Sequence, residues 1–332
     1  MNAKAELVVL DSGKLVGIID AVVKARREEA QDIISLELAA ADGSALPAFD
    51  AGAHVEFYLP CGLVRHYSLC NDPAERHRYL LGILRDPKSR GGSAEIFRSV
   101  YAGDSLRIGR PRNNFPLTRH ASRSVLLAGG IGITPMLAMA YQLQRDRSDF
   151  ELHYCSRSPA RTAFTELLSK EAFAHRIFYH YDDGGADQQF HLSRALGEPD
   201  AGHHLYVCGP GGFITYATEG AKALGWSPAN IHVEYFSTEV DLQGDTFTVT
   251  AARSDVTCQV PAGRSIAEVL IEHGVKVPMS CEEGVCGTCL TPVIRGLPDH
   301  RDLVQTDKEK AANTYVAVCC SRSKTPVLVI DL

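Results

Sequence analysis

The sequence has no excess of positive charge and no long hydrophobic run. Its formal net charge is −6 at pH 7, so it offers no broad basic surface, and nucleic acids and anionic membranes are poor candidates as partners. No stretch of about 18 apolar residues is present, and the N-terminal segment lacks the apolar region and cleavage site of a signal peptide. We therefore expect a cytoplasmic protein that binds neither nucleic acid nor membrane.

Cysteine is frequent, but the context of a secreted disulfide framework is missing. The chain has 10 cysteines in 332 residues, and without a signal peptide a chain of this length is expected to keep them reduced or to use them as metal ligands. Rieske-type cysteine–histidine pairs and a mononuclear iron triad are also missing from the sequence. We therefore do not expect this chain to activate oxygen itself.

Three segments with different hydrophobic patterns follow one another. Residues 1–116 contain short apolar runs broken by Gly, Pro and Asp, such as HVEFYLP and YLLGILR, which are typical of an antiparallel β-barrel or sandwich. Residues 117–237 alternate strand-like and helix-like runs, which indicates a parallel α/β sheet covered by helices. After a polar linker, residues 245–332 combine a hairpin pattern, an amphipathic helix and a final strand, which indicates an α+β domain. The sequence therefore predicts a multidomain protein.

The C-terminal segment contains the most specific motif. In CEEGVCGTC, Cys281, Cys286 and Cys289 have the Cys-x4-Cys-x2-Cys spacing of plant-type [2Fe–2S] proteins, and Cys319 and Cys320 follow farther along the chain. A zinc site fits this spacing badly, because zinc hooks are short Cys-x2-4-Cys pairs. We therefore predict an iron–sulfur cluster. If YVAVCC is a strand, its last two cysteines face opposite sides and only one of them can be the fourth ligand.

A glycine-rich turn in the middle segment suits a dinucleotide. The run SVLLAGGIGITPMLAMA passes from a strand through Gly130 and Gly132 into a helix, with Thr134 predicted as the N-cap. A pyrophosphate binds favourably at such a helix N-terminus. Tight strand-to-helix turns also need glycine for steric reasons alone, so this motif requires support from elsewhere.

Two further strand ends give that support. The run HLYVCGPGG has Cys208, Gly209 and Pro210 at the carboxyl end of a strand, which is the edge where open α/β sheets bind ligands. In HYCSRS, Ser156 and Arg157 follow another strand and could hold a ribose or a phosphate. A solvated loop arginine is the alternative for Arg157.

The first segment has two motifs with groups that can bind an anion such as a phosphate. In LVRHYSLCND, Arg65 and Tyr67 share one face of a strand and Ser68 ends it or faces the other side. In LRDPKSRGGSAEIF a glycine turn precedes an amphipathic helix, and Ser93 is predicted as its N-cap. The residues of this second anion site are Arg90, Gly91, Gly92 and Ser93.

In their order along nearly the whole chain, these motifs resemble those of the phthalate dioxygenase reductase family. The resemblance implies an FMN-binding β-barrel, an NAD-binding domain and a β-grasp ferredoxin domain with a [2Fe–2S] cluster. It also implies an oxidoreductase that passes electrons from NADH, or NADPH, to a Rieske-type oxygenase acting on an aromatic acid or related compound. The V-C-x-S-R ending of the family favours Cys319 as the fourth ligand and leaves Cys320 as a packing residue.

The resemblance also implies the residues that line each site. Ser68 and Cys208 are the candidate catalytic residues, because they would shape the contact between nicotinamide and flavin. The implied flavin contacts are Arg65, His66, Tyr67, Ser68, Gly82, Ile83, Leu84, Arg90, Gly91, Gly92, Ser93 and Phe236. The implied NAD contacts are Gly130, Gly132, Thr134, Ser156, Arg157, Cys208, Gly209 and Pro210.

Several choices stay open at this level. FMN is favoured over FAD because the turn at Arg90 can close around a terminal phosphate and no AMP-binding segment is evident. NADH is favoured over NADPH because no second basic residue stands beside Arg157 before Arg161. The alternatives to an oxygenase reductase are a reductase for a cytochrome or a ferredoxin, and a non-catalytic redox sensor or zinc-stabilised binding protein on the same scaffold.

Overall fold

The computed structural model describes residues 17–87, 91–237 and 240–332. The chain divides into two compact units, Met1–Phe236 and Ser237–Leu332. Arg90, a predicted flavin contact, lies outside the described residues. Within the described part of the chain, no helix combines the length and the apolar character needed to cross a bilayer.

The first unit begins with an antiparallel β-barrel. The described residues of this part form the strands β1 (Ile18–Ala30), β2 (Ile33–Ala40), β3 (Ala53–Tyr58), β4 (Val64–Ser68), β5 (Tyr79–Leu84), β6 (Ser105–Gly109) and β7 (Arg112–Asn113), with helix α1 (Gly92–Ser99) after β5. The strand order is β4-β3-β6-β1-β2-β5, and β7 pairs with β3. A bridge between Leu69 and Leu81 joins the two ends of this order and closes the barrel.

A parallel sheet follows in the same unit. Its elements are β8 (Arg123–Gly129), α2 (Ile133–Arg145), β9 (Phe150–Ser156), α3 (Thr165–Leu168), β10 (Ile177–Tyr181), α4 (Leu192–Leu196), β11 (His203–Cys208), α5 (Gly211–Ala223) and β12 (Ile231–Glu234). The order β10-β9-β8-β11-β12 changes direction at β8. The carboxyl ends of β8 and β11 therefore border the crevice where such sheets bind nucleotides.

Both predicted hydroxyl N-caps are wrong. Helix α2 already begins at Ile133, so Thr134 lies in its first turn and its hydroxyl donates to the Ile131 carbonyl at 3.1 Å. Helix α1 is preceded by Gly91 at φ 87°, and the Ser93 hydroxyl instead accepts from the Asp86 amide at 3.3 Å. Glycine occupies the N-cap in both helices, which leaves that end of each helix open to a ligand.

The second unit is a β-grasp domain. Its elements are β13 (Phe247–Ala251), β14 (Val256–Val260), α6 (Ile266–Glu272), β15 (Leu290–Arg295), β16 (Pro298–Asp299), α7 (Asp307–Ala312), β17 (Tyr315–Ala317), β18 (Arg322–Ser323) and β19 (Val327–Ile330). The main sheet has the order β14-β13-β19-β15-β17, with β13 and β19 parallel. The predicted multidomain class, with a β-barrel, a parallel α/β sheet and an α+β unit, is confirmed.

Arg322 is a buried guanidinium that links the end of this unit to its beginning. The residue is 1% exposed. Its Nη1 donates to the carbonyls of Arg264 at 2.8 Å and Pro261 at 3.2 Å, and its Nη2 donates to the carbonyl of Asp245 at 3.0 Å. The guanidinium carbon also lies 5.2 Å from the ring centre of Phe247. Removing this side chain would leave these three carbonyls without their charged donor.

We expect Arg322→Met to lower the free energy of unfolding of the second unit by about 3 kcal/mol, because those carbonyls lose their charged donor. The chain has 1 tryptophan, Trp226, so its fluorescence reports on the first unit only. In urea unfolding of the variant, circular dichroism should show an additional transition at lower urea concentration, and the midpoint of the Trp226 fluorescence change should equal that of the parent. Arg253→Met is the matched control, because Arg253 is exposed and pairs with Asp331 at the surface. Equal effects of the two substitutions would contradict this role of Arg322.

Candidate functional site

The four predicted ligand cysteines come together in two pairs. The thiol of Cys281 lies beside that of Cys286, and the thiol of Cys289 beside that of Cys319. These contacts, together with burial, raise the pKa of Cys281 and of Cys289. Among the residues that the structure describes, no three His, Cys, Asp or Glu side chains surround one point as a single metal ion requires. Two pairs of thiols fit a two-iron cluster, in which each iron takes two protein sulfurs.

The backbone around these thiols also fits a cluster. Gly284 has φ 75°, and a Cβ at this position would lie 2.5 Å from the Cys320 sulfur and 3.1 Å from the Asp302 Cα. The Leu303 amide holds the Gly284 carbonyl at 2.9 Å. With the loop fixed in this way, the Glu283 amide lies 3.4 Å from the Cys281 sulfur, as donors to cluster sulfurs do.

Cys319 and Cys320 do not lie on a strand, so the premise on which they were expected to face opposite sides is wrong. Strand β17 ends at Ala317, and its carbonyl accepts from the amides of Cys320 at 3.2 Å and Ser321 at 2.9 Å, which makes a turn. Strand alternation therefore does not apply to these two residues. Cys319 contacts Cys289, and Cys320 lies against Gly284 with its thiol also contacting that of Cys319.

The predicted flavin motifs of the barrel lie beside one another. The Arg65 side chain crosses the N-terminus of α1 so closely that a Cβ on Gly92 would lie 2.6 Å from the Arg65 Nε. A guanidinium beside the free amides of a helix start is a good environment for a phosphate. Tyr67 packs edge-on against Phe57 at 6.0 Å. Gly92 thus makes room for the Arg65 side chain, and its charge beside the amides of the helix start fits a flavin phosphate.

The barrel and the parallel sheet meet at Gly82. A Cβ on this residue would lie 2.6 Å from the Thr134 Cγ2 and 3.0 Å from the Phe164 ring. The next two residues of β5 are also predicted flavin contacts; Ile83 is buried and Leu84 is half-buried. Gly82 thus permits close packing of β5 against the start of α2.

The two dinucleotide turns are in direct contact. A Cβ on Gly132 would lie 2.1 Å from the Cys208 carbonyl oxygen, and one on Gly209 would lie 2.9 Å from the Gly129 Cα. Pro210 is the N-cap of α5, and Gly130 has φ 55°. The glycines therefore let the two turns pack backbone against backbone at the carboxyl ends of β8 and β11, the edge where such sheets bind nucleotides.

The remaining predicted NAD and flavin contacts lie at or just after the ends of β9 and β12, except for His66, which lies in the barrel. The buried Ser156 hydroxyl lies 2.6 Å from the Thr162 hydroxyl, while Arg157 is exposed. Phe236 follows β12 and is 36% exposed. His66 lies in β4 with its ring 5.0 Å from that of His54.

Glu234 belongs to this site although sequence analysis missed it. It ends β12 directly beside Cys208 on β11, and its Oε2 accepts from the Ser68 hydroxyl at 3.3 Å. The two predicted catalytic residues, one from the barrel and one from the parallel sheet, are therefore brought together around this carboxyl. The sequence HVEYFS contains a signal for this residue. Its carboxylate follows an apolar run at the end of a strand in the nucleotide-binding sheet.

The environment of Glu234 favours its neutral form. Burial raises the pKa of Glu234 to about 8, against the opposing effect of the Ser68 hydrogen bond. Burial, and then the charge of Glu234, raise the pKa of Cys208. The carboxyl therefore carries a proton at neutral pH, in contact with a hydroxyl and beside a neutral thiol.

We expect Glu234→Gln to make stability less dependent on pH. In the unfolded chain the carboxyl ionises near 4.5, and in the folded chain near 8, so folding is favoured below the lower value and stability falls as the pH rises between the two. The melting temperature of variant and parent can be followed by Trp226 fluorescence. The value for the variant minus that for the parent should rise from pH 5 to pH 8 and stay constant above pH 8. A difference that does not change with pH would contradict the buried neutral carboxyl.

Comparison with known proteins agrees with this geometry. A family model described as a 2Fe-2S iron-sulfur cluster binding domain matches residues 249–324, and one described as an oxidoreductase NAD-binding domain matches residues 126–219. The chain is 53% identical over 318 residues to the vanillate O-demethylase oxidoreductase of Pseudomonas putida, an alignment that covers 95% of this chain and 100% of the relative.

Solved structures give the same result. Phthalate dioxygenase reductase, described as a modular structure for electron transfer from pyridine nucleotides to [2Fe-2S], matches with a TM-score of 0.73 and 39% identity over 95% of this chain and 98% of that chain. An intact type IV self-sufficient cytochrome P450 monooxygenase matches with a TM-score of 0.83 and 34% identity over 95% of this chain and 41% of that one.

A barrel, a nucleotide-binding parallel sheet and a four-thiol β-grasp unit define an NAD-binding iron–sulfur oxidoreductase. The chain belongs to the family of oxygenase reductases that includes vanillate O-demethylase oxidoreductase and phthalate dioxygenase reductase. Its relatives in that family are reductase components of multicomponent oxygenases.

Proposed function

We propose that this chain takes electrons from NADH and passes them through FMN and a [2Fe–2S] cluster to a Rieske-type oxygenase that acts on an aromatic acid or related compound. The observation that carries the proposal is the contact of Ser68 with Glu234 beside Cys208, because it joins the flavin-binding barrel to the carboxyl edge of the NAD-binding sheet. The paired thiols of the second unit supply the one-electron centre that such a protein needs to serve an oxygenase.

The residues of the chain provide position and exclude water. When bound, a flavin accepts two electrons as hydride and releases them singly. Ser68 is fixed by its bond to Glu234 and presents a hydroxyl at the junction of barrel and sheet. Cys208 is fully buried there, so its neutral thiol fills the space without attracting water. The raised pKa of the half-buried Glu234 carboxyl favours its neutral form, which lowers the negative charge at this junction.

We propose the following domains and ligands. The FMN barrel comprises residues 1–116, the NAD domain residues 117–237 and the ferredoxin domain residues 245–332, since each range encloses one of the three large sheets. FMN is preferred to FAD because Arg65 and the Gly92 turn form one compact phosphate site. The flavin, NAD and cluster ligands are those expected from the sequence, with Cys281, Cys286, Cys289 and Cys319 binding iron and Glu234 added at the junction.

We also propose a cytoplasmic location. All ten cysteines are free thiols in the structure, and ligand thiols must stay reduced until iron is bound. A cytochrome is the second candidate acceptor. Nearly the whole of this chain matches a region that makes up 41% of a self-sufficient cytochrome P450 monooxygenase. Reduction of a purified Rieske oxygenase, and not of a P450 haem domain, would favour the first acceptor.

Cys319→Ser tests the proposed order of electron carriers. The variant should keep flavin reduction by NADH, followed at the flavin absorbance by stopped flow, because the barrel and sheet are unaltered. It should lose the electron paramagnetic resonance signal of the reduced cluster and at least about 100-fold in the rate of oxygenase reduction, because a ligand to the one-electron centre is missing. Cys258→Ser is the control, since Cys258 is a buried thiol of β14 in the same unit. A fully active Cys319→Ser enzyme would overturn the proposal.

Two carboxylates support the preference for NADH. The amides of Asp182 and Asp183 donate to the carbonyls of Ser156 at 3.1 Å and Arg157 at 3.2 Å, so both aspartates follow β10 directly beside the proposed ribose site. Both are exposed. They would repel the 2′-phosphate of NADPH and leave the 2′-hydroxyl of NADH unaffected.

Replacing both residues, Asp182→Asn with Asp183→Asn, should therefore raise the ratio of kcat/KM for NADPH to that for NADH by about tenfold, with a smaller gain at high salt. Asp149→Asn is the matched control, because Asp149 precedes β9 and so lies at the opposite edge of the sheet. An unchanged ratio in the double variant would show that these charges do not select the nucleotide.

A further inference from the structure

Asp302 is a buried carboxylate beside the loop that carries Cys281 and Cys286. The residue is 0% exposed. Gly284 lies between the two cysteines, and a Cβ on it would be 3.1 Å from the Asp302 Cα and 3.3 Å from the Asp302 Cβ. Burying a carboxylate costs free energy unless hydrogen bonds compensate for the lost water. The hydrogen bonds of Asp302 therefore indicate what this side chain does.

Both oxygens of the carboxylate accept bonds within one short turn. Oδ2 accepts from the Gln305 amide at 2.9 Å, and Oδ1 accepts from the Gln305 Nε2 at 3.1 Å. Gln305 is itself buried. The His300 Nδ1 lies farther away, at 3.8 Å from Oδ1. The Asp302 side chain thus restrains the backbone of residues 302–305, as aspartates in turns commonly do.

The peptide between Asp302 and Leu303 is held from both sides. Its carbonyl accepts from the Lys310 Nζ of α7 at 2.5 Å. Its N–H, which belongs to Leu303, donates to the Gly284 carbonyl at 2.9 Å. Because the peptide is planar and trans, these two groups point in opposite directions. The turn therefore links α7 to the ligand loop through one oriented peptide.

The bond to Gly284 also restrains the ligand loop. It fixes the direction of the Gly284 carbonyl, and with it the direction of the Val285 N–H in the same planar peptide. One residue earlier, the Glu283 amide lies 3.4 Å from the Cys281 sulfur. Amides directed at cluster sulfurs are among the factors that tune such centres. The orientation of this backbone therefore matters for the cluster.

We propose that Asp302 is a positioning residue for the iron–sulfur cluster. Its carboxylate folds the turn from which the Leu303 amide holds Gly284, and this contact orders the loop of Cys281 and Cys286. The inference rests on the proposed binding of iron by those two cysteines. Asp302 does not bind iron itself, since both of its oxygens are engaged within the turn.

The test compares Asp302→Leu with Asp302→Asn in the full-length protein. Leucine has no acceptor, so the Leu303 amide should exchange faster in D2O. An iron chelator should remove the cluster about tenfold faster, which is the effect of one lost hydrogen bond. The electron paramagnetic resonance g values of the reduced cluster should change with the loop. Asparagine keeps an oxygen for the Gln305 amide, and its three readouts should lie close to those of the parent.

Asp331→Leu is the matched control. Asp331 also accepts two N–H bonds, but they come from the exposed Arg253, and the residue follows β19 instead of the ligand loop. This variant loses as many bonds from a carboxylate of the same unit. It should leave the exchange of Leu303, the rate of cluster loss and the g values at the parental values.

Each outcome decides the proposal. A parental rate of cluster loss with parental g values in Asp302→Leu overturns it, and so does an equal effect of Asp302→Asn or of Asp331→Leu. If Asp302→Leu does not fold, Asp302→Ala removes the same acceptors without adding bulk and takes its place in the comparison. A parent protein that shows no cluster signal refutes the proposed function instead, so the two failures are distinguishable.

Discussion

The nucleotide and flavin sites depend on one steric constraint, the contact between the turn after β8 and the end of β11. Gly132 is so close to the Cys208 carbonyl oxygen that a Cβ would lie 2.1 Å from it, so any larger residue would push the two strand ends apart. That contact fixes the position of Cys208, and the register of β11 with β12 then sets Glu234 beside it. Ser68 reaches Glu234 from the barrel, so the junction is held by packing that begins at a glycine.

The elements that sequence analysis predicted well are those with a fixed spacing. The Cys281–Cys289 loop has such a spacing because the cluster imposes a geometry on its ligands, and the glycine turns have theirs because a strand must pass into a helix within a few residues. Both patterns are short, local and tied to a backbone requirement. The multidomain class followed from the change in hydrophobic period along the chain.

What the sequence could not predict depends on contacts between distant segments. Glu234 has no motif of its own, and its importance arises only because β12 lies next to β11 and opposite the barrel. The two N-caps were assigned to hydroxyl residues by their usual preference, but the turns place Gly91 and Gly132 there. The strand expected at Cys319 and Cys320 is absent because β17 ends at Ala317, before the alternation of a strand can reach them.

The hydrogen bond from Leu303 to Gly284 has a consequence for how the cluster is acquired. The bond ties the ligand loop to the segment before α7 by a contact that needs no iron. A loop with such a contact loses less conformational entropy when its ligands close around a cluster than a free loop does.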